Sequence, residues 1–195
     1  MSVVMRGLIM SVVLLCTACA HPIVVTPALG DLKLESANPI DKNVGYYISK
    51  ENRDKKVITS GGGGDKVAYY PYKELEPALQ KVLSNVFRRV YPLQSEGDTQ
   101  AIEAHGIAYV FTPTISTNSS SDSLVTWPPT KFTVVVACKA VSAEGKPIWE
   151  KQFTGDGVAE FSEFKSDFSL AAKRASQSAF GQFQRALVQD QEFRQ

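Results

Sequence analysis

The stretch FTVVVACKAVSAEGKPIWEKQF, residues 132–153, decides the fold. Phe132, Val134, Val136, Cys138 and Ala140 fall on one side of an extended chain. Thr133, Val135, Ala137, Lys139 and Val141 fall on the other, because successive side chains of a strand point to opposite faces. Ala143-Glu144-Gly145-Lys146 breaks this pattern as a turn, and residues 148–153 resume it, which predicts an antiparallel hairpin.

The rest of the chain is read outward from that hairpin. Downstream, residues 158–161 read as a further short strand. Phe168, Ala172, Ala175, Ala179, Phe183 and Ala186, with Leu187 beside them, recur at helical spacing and predict a helix over 168–187 that Ser166 or Asp167 caps. Its small alanines suit close approach to a sheet. The polar end, residues 189–195, is expected to fray. Upstream, residues 107–115 read as a strand and 94–106 as a polar connection. Leu75, Leu79, Val82, Leu83, Val86, Phe87 and Val90 form one apolar stripe and predict a helix over 74–90, with Pro77 in its first turn and Pro92 as its stop. Residues 44–49 predict a strand and 50–56 a turn. Residues 57–59 predict a return strand, and 32–34 a short strand. The order implies an α+β fold: a mostly antiparallel sheet with two main helices packed on one face.

The amino terminus carries a different kind of signal. Arg6 is followed by an apolar run over 7–15 and then by Cys16, Thr17, Ala18 and Cys19. A positive charge, a short apolar stretch and small residues at a cut are the parts of a secretory leader. The run is too short for a permanent bilayer helix, which needs about 20 residues. Leu15-Cys16-Thr17-Ala18-Cys19 resembles the lipobox of bacterial lipoproteins, with Cys16 standing where that pattern has an aliphatic residue. The resemblance implies a leader over 1–18 and a diacylglycerol thioether on Cys19, an ordinary leader cut near Ala20 being the alternative. Met5 directly precedes Arg6 and is a second candidate start. Ala20, not Asp, follows the modified cysteine, which by the lipoprotein sorting pattern implies the outer membrane. Pro22, Pro27 and Gly30 read as breakers, so 19–31 is expected to be a lipidated tether, 32–188 a single domain and 189–195 a polar tail.

Composition narrows the function classes. The chain has 21 Lys+Arg against 20 Asp+Glu, and loss of Arg6 with the leader brings it to neutrality. Arg88-Arg89 and Lys173-Arg174 are isolated pairs, so no basic stripe for nucleic acid is present. With Cys16 in the leader and Cys19 lipidated, Cys138 is left alone and the mature chain has no intrachain disulfide.

Chemistry-bearing residues are few. Gly61–Gly64 followed by Asp65 and Lys66 lacks the Gly-Lys-Ser/Thr ending of a phosphate loop and reads as a mobile turn. Cys138 with His105 as base would make a nucleophile pair, but a thiol amid Val and Ala in a strand reads as core filler. His21 and His105 have no ligand spacing with Cys, so no metal or other cofactor is expected. No Gly-x-Ser-x-Gly elbow exists. Glu160 and Glu163 could pair as carboxylates, or simply lie in solvent. Residues 119–123 are a polar Ser-rich run leading to Leu124, Val125, Trp127 and Pro128. These four are the candidate partner contact, since Trp is enriched among interface anchors. The alternative is that Trp127 folds over the sheet end. Tyr46, Tyr47, Tyr69, Tyr70 and Tyr72 could line a cleft for a small lipid, glycan or peptide.

The lipobox, tether, long helix, Val110-Phe111-Thr112-Pro113-Thr114 strand, hairpin and Ala-rich last helix together resemble the YajG-type lipoproteins and the amino-terminal domain of TolB. They resemble also the accessory lipoproteins of envelope transport systems. That resemblance implies a non-enzymatic, periplasm-facing outer-membrane component that acts by binding an envelope protein. A ligand-binding module and an unrecognised hydrolase are the alternatives.

Overall fold

The computed structural model describes residues 20–33 and 39–194. The expected leader over 1–18, Cys19 and part of the expected strand at 32–34 lie outside these residues. The hairpin that anchors the sequence reading is formed by β7 (Lys131–Ser142) and β8 (Pro147–Val158), longer than expected because β8 runs on through residues 154–158. Its neighbour β6 (Ile107–Ser120) pairs antiparallel with β7 along its length, from Tyr109 opposite Ser142 to Ser120 opposite Lys131. Two shorter strands, β2 (Ile40–Tyr46) and β5 (Phe87–Pro92), join in parallel to give the order β5-β2-β6-β7-β8. A small second sheet has β4 (Lys66–Tyr69) between β1 (His21–Pro22) and β3 (Val57–Ser60). It leans on β6 where the Ser119 hydroxyl donates to Ser60 O at 2.6 Å.

Two long helices, α2 (Pro71–Val86) and α5 (Leu170–Gln189), cover one face of the large sheet, as the α+β reading expected. In chain order the short helix α1 (Lys50–Asp54) lies between β2 and β3, and helix α3 (Thr99–His105) between β5 and β6. Helix α3 sits on a separate small cluster of Leu93, Ile102, Ile107 and Val110. The four-residue helix α4 (Phe161–Phe164) precedes α5. Close contact between α5 and β8 is made possible by missing side chains. A Cβ at Gly155 would collide with Ala175 O and Ala179 N, and one at Gly157 with Ala171 O and Ala175 N.

Several expectations are corrected. Helix α2 begins at Pro71 and ends at Val86, not Val90, because residues 87–92 leave to pair with β2. Residues 50–56 contain α1 with Ser49 as its cap, and 94–106 contain α3, whose Asp98 carboxylate accepts from Ala101 N at 3.1 Å. Residues 57–60 pair with β4, not with the strand before them. Residues 158–161 form no separate strand: Val158 ends β8 and Phe161 starts α4.

The expected tether is part of the core. Ile23, Val25 and Leu32 are buried, and the segment is bonded to both long helices. Val25 N donates to Glu74 Oε2 at 2.8 Å, and Val25 O accepts from Ser176 Oγ at 2.6 Å. Leu32 O accepts from Asn85 Nδ2 at 2.8 Å and Lys33 O from Gln184 Nε2 at 2.5 Å. The expected frayed tail is held too. Phe193 is fully buried, its ring centroid 5.6 Å from Phe87, 5.6 Å from Phe111 and 5.7 Å from Trp149. Asp190 Oδ2 accepts from Trp149 Nε1 at 2.9 Å.

Two predictions follow from this packing. Phe193→Ala should destabilise the domain by about 3–5 kcal/mol, as for other buried aromatic truncations, in urea unfolding. A loss below 1 kcal/mol would return the tail to the frayed class. The second concerns Glu76, which accepts from Arg53 Nε and Nη2, both at 2.8 Å, and from Tyr46 Oη at 3.0 Å. The Arg53 guanidinium holds its carboxyl below the usual range. A carboxylate with a lowered folded pKa stabilises above its unfolded value and loses that contribution as pH falls through the folded value. Glu76→Gln should therefore cost about 1–2 kcal/mol at pH 7 and progressively less as pH falls through the folded value, measured by urea unfolding across that range.

Candidate functional site

The glycine run and the Trp-Pro-Pro connection, far apart in sequence, form one structure. Gly61–Gly64 closes the β3–β4 hairpin, with Gly63 at φ 65° and Gly64 at φ 86°, where other residues are strained. Gly62 N donates to Trp127 O at 2.8 Å and Gly63 N to Ser123 O at 2.9 Å. A Cβ at Gly61 would run into Trp127 O, and one at Gly62 into Thr126 O. The glycines are thus the seat on which the β6–β7 connection lies.

That connection is ordered by its own short polar side chains. Ser123 Oγ accepts from Val125 N at 3.3 Å, from Thr126 N at 3.1 Å and from Thr126 Oγ1 at 2.7 Å, a hydroxyl-built turn. Asp122 pairs with Lys131 at 2.6 Å. The Ser-rich run therefore builds a shaped loop.

The four residues expected to bind a partner divide into two pairs. Trp127 is half-buried: His21 stacks on it with centroids 4.3 Å apart and planes 18° from parallel, and Phe168 lies 4.9 Å away. Pro128 is buried. These two close the end of the fold. Leu124 and Val125 point away from it, 89% and 91% exposed. Val24 and Phe168, about half-exposed, are further large apolar residues near this end: Val24 N donates to the hydroxyl of Ser169, next to Phe168.

The tyrosines do not line a common cleft. Tyr46, Tyr69 and Tyr72 are buried, and their hydroxyls are engaged with Glu76, with Thr117 and with Ile115 N. Burial, with Glu76 beside it, pushes the Tyr46 hydroxyl up to about 12. Tyr70 remains partly exposed.

The residues weighed for catalysis are also placed. Cys138 is fully buried, and burial pushes its thiol up, away from the reactive thiolate. His105 stacks instead on Tyr91, with centroids 4.1 Å apart. Glu160 and Glu163 do not face each other as an acid–base pair. Each carboxylate bonds the other's backbone in a capping box, and Arg174 clamps Glu163. Among the described residues no group of three or more His, Cys, Asp or Glu is placed to hold a metal ion. Among them, too, no helix is long and apolar enough to cross a membrane.

No family model and no curated protein matches the chain. Among solved structures it is similar to a Xanthomonas campestris protein of the DUF330 family model, at 13% identity and a TM-score of 0.44 over 87% of this chain and 91% of that one. It is similar also to the PelC dodecamer of Paraburkholderia phytofirmans, at 15% identity and a TM-score of 0.38 over 74% of this chain and 93% of that one. A candidate lipoprotein from Caulobacter crescentus matches at 13% identity and a TM-score of 0.30, over 47% of this chain and 77% of that one.

The coupling of turn and loop is testable. Gly62→Ala should unseat the loop, lower stability by about 1–3 kcal/mol through overpacking, and open the amides of Gly62, Gly63 and Thr126 to hydrogen exchange. Unchanged protection at those amides would show that the seat does not order the loop.

Proposed function

We propose that the chain is a periplasm-facing accessory lipoprotein of the outer membrane, held by acyl chains on Cys19, that works by binding an envelope protein and not by catalysis. The leader, the lipobox-like stretch and Ala20 after the modified cysteine support the location. Acyl chains contribute about 0.8 kcal/mol per buried methylene, so several chains on one cysteine anchor durably.

The observation that carries the reading is the mounting of the domain. His21 already belongs to β1, and Val25 to the core. Two peptide steps from Cys19 to His21 span at most about 7 Å. The domain is therefore fixed close to its anchor, with little slack. A tethered catalyst gains from freedom to search. A docking module gains from a fixed pose, because orientation lost before binding is not lost again on binding. The internal use of Tyr46, Tyr69 and Tyr72 favours this reading over a Tyr-lined ligand cleft.

The test is residue-specific crosslinking in intact cells with the full chain, its Cys19→Ala variant and a variant carrying a flexible Gly/Ser spacer between Ala20 and His21. Radiolabelled palmitate should mark the full chain and not Cys19→Ala. One discrete envelope protein should crosslink to the full chain, weakly to the spacer variant and not to Cys19→Ala. Equal crosslinking by all three would remove the role of the mounting, and absence of label on the full chain would remove the anchor.

A further inference from the structure

We propose that Leu124 and Val125 insert into the membrane surface beside the lipid anchor, as a second point of attachment for the domain. The inference rests on the anchor at Cys19 argued above, and it assigns the exposed loop to lipid.

Three observations point to it. The first is exposure without disorder. Leu124 and Val125, at 89% and 91% exposed, are adjacent large apolar side chains in a loop pinned by Gly62, Gly63 and Ser123. An adjacent apolar pair held outward on a hydrogen-bonded loop is presented to whatever apolar medium lies beside it. The second is position. Trp127 stacks on His21, and His21 lies two residues after Cys19. Trp127, at the base of the loop, is therefore in ring contact with a residue that at most about 7 Å of chain separates from the lipidated cysteine, and an aromatic side chain there suits a membrane–water boundary. The third is charge. Ser123, Leu124, Val125 and Thr126 are uncharged, and the flanking Asp122 is neutralised by Lys131 at 2.6 Å. Leu124 and Val125 can enter the boundary region while the Asp122–Lys131 pair, with both side chains more than half exposed, stays in water.

These features favour lipid over a protein occupant. A stable protein interface buries about 1,200–2,000 Å² and needs a complementary surface, whereas two apolar side chains at a tip supply little area. A bilayer accepts them without shape matching. Neutrality of the tip further implies that insertion is indifferent to anionic lipid and to salt, unlike attachment through a basic patch.

The experiment uses the full lipidated chain in vesicles of phosphatidylethanolamine and phosphatidylglycerol. An environment-sensitive fluorophore is placed at Val125→Cys, and in a second preparation at Glu144→Cys, in the turn at the other end of β7. Quenchers are carried on the lipid at shallow depth. The expected result is blue-shifted emission and quenching several-fold stronger at 125 than at 144, unchanged by raised salt or by removal of phosphatidylglycerol. Equal, water-like emission at both positions in protein that floats with the vesicles would overturn insertion while leaving the anchor intact. Protein with an intact Cys19 codon that fails to float would overturn the anchor, and insertion with it. A photo-crosslinking residue at 125 in intact cells should give phospholipid adducts. A single discrete protein adduct would assign the tip to a protein partner and overturn the proposal.

Discussion

The structure depends on one constraint: residues 21–33 are bonded to both long helices. A buried backbone amide or carbonyl without a partner costs on the order of 1–3 kcal/mol, so an extended segment can enter a core only where side chains meet it. Glu74 and Asn85 on α2 and Ser176 and Gln184 on α5 do so. Asn85 and Gln184 also bond each other at 2.7 Å, which ties the two helices together at the point where the segment passes. Without the segment each of these four side chains would lose one of its hydrogen-bond partners. The helices and the amino-terminal segment are therefore one cooperative unit.

What was legible in the sequence follows from which forces are local. The β7–β8 hairpin and the body of both long helices were readable because period-2 and period-3.6 patterns report directly on burial. The end of α2 was not, since Phe87 and Val90 prolong the helical stripe while belonging to β5. Only the parallel pairing with β2 stops the helix, and no local signal encodes that pairing. Residues 20–33 were misread because Pro22 and Pro27 look like breakers. An extended segment bonded through alternate groups tolerates them, and Ile23, Val25 and Leu32 were the apolar clue. Phe193 was a similar clue, a single aromatic in a polar tail. Helix α3 carried a readable frame, with Asp98 as its cap and Gly106 in the left-handed conformation at its end.

The candidate site was half legible. Leu124 and Val125 were read as partner contacts from their place in a polar connection, and their exposure leaves them available for contact. Trp127 followed the alternative weighed beside its role as an anchor, because His21 and Phe168 supply a partly buried aromatic slot that sequence spacing cannot reveal. The four glycines gave no hint of their purpose. Their role appears only when the β6–β7 connection is laid on them, a contact between residues about sixty apart in a chain whose local composition says only that the backbone is free to turn.

The stitching of the first segment to the last helix also governs how the chain reaches its fold. Val25 and Ser176 are separated by 151 positions, as are Lys33 and Gln184. Contacts of such long sequence separation form late and slow folding, because the loop entropy must be lost before they repay it. The amino-terminal segment finds Glu74 and Asn85 on α2, but its seat is complete only with Ser176 and Gln184 of α5 in place. Loss of α5 would therefore free the first strand-forming residues as well as the last helix, so the two ends of the domain stand or fall together.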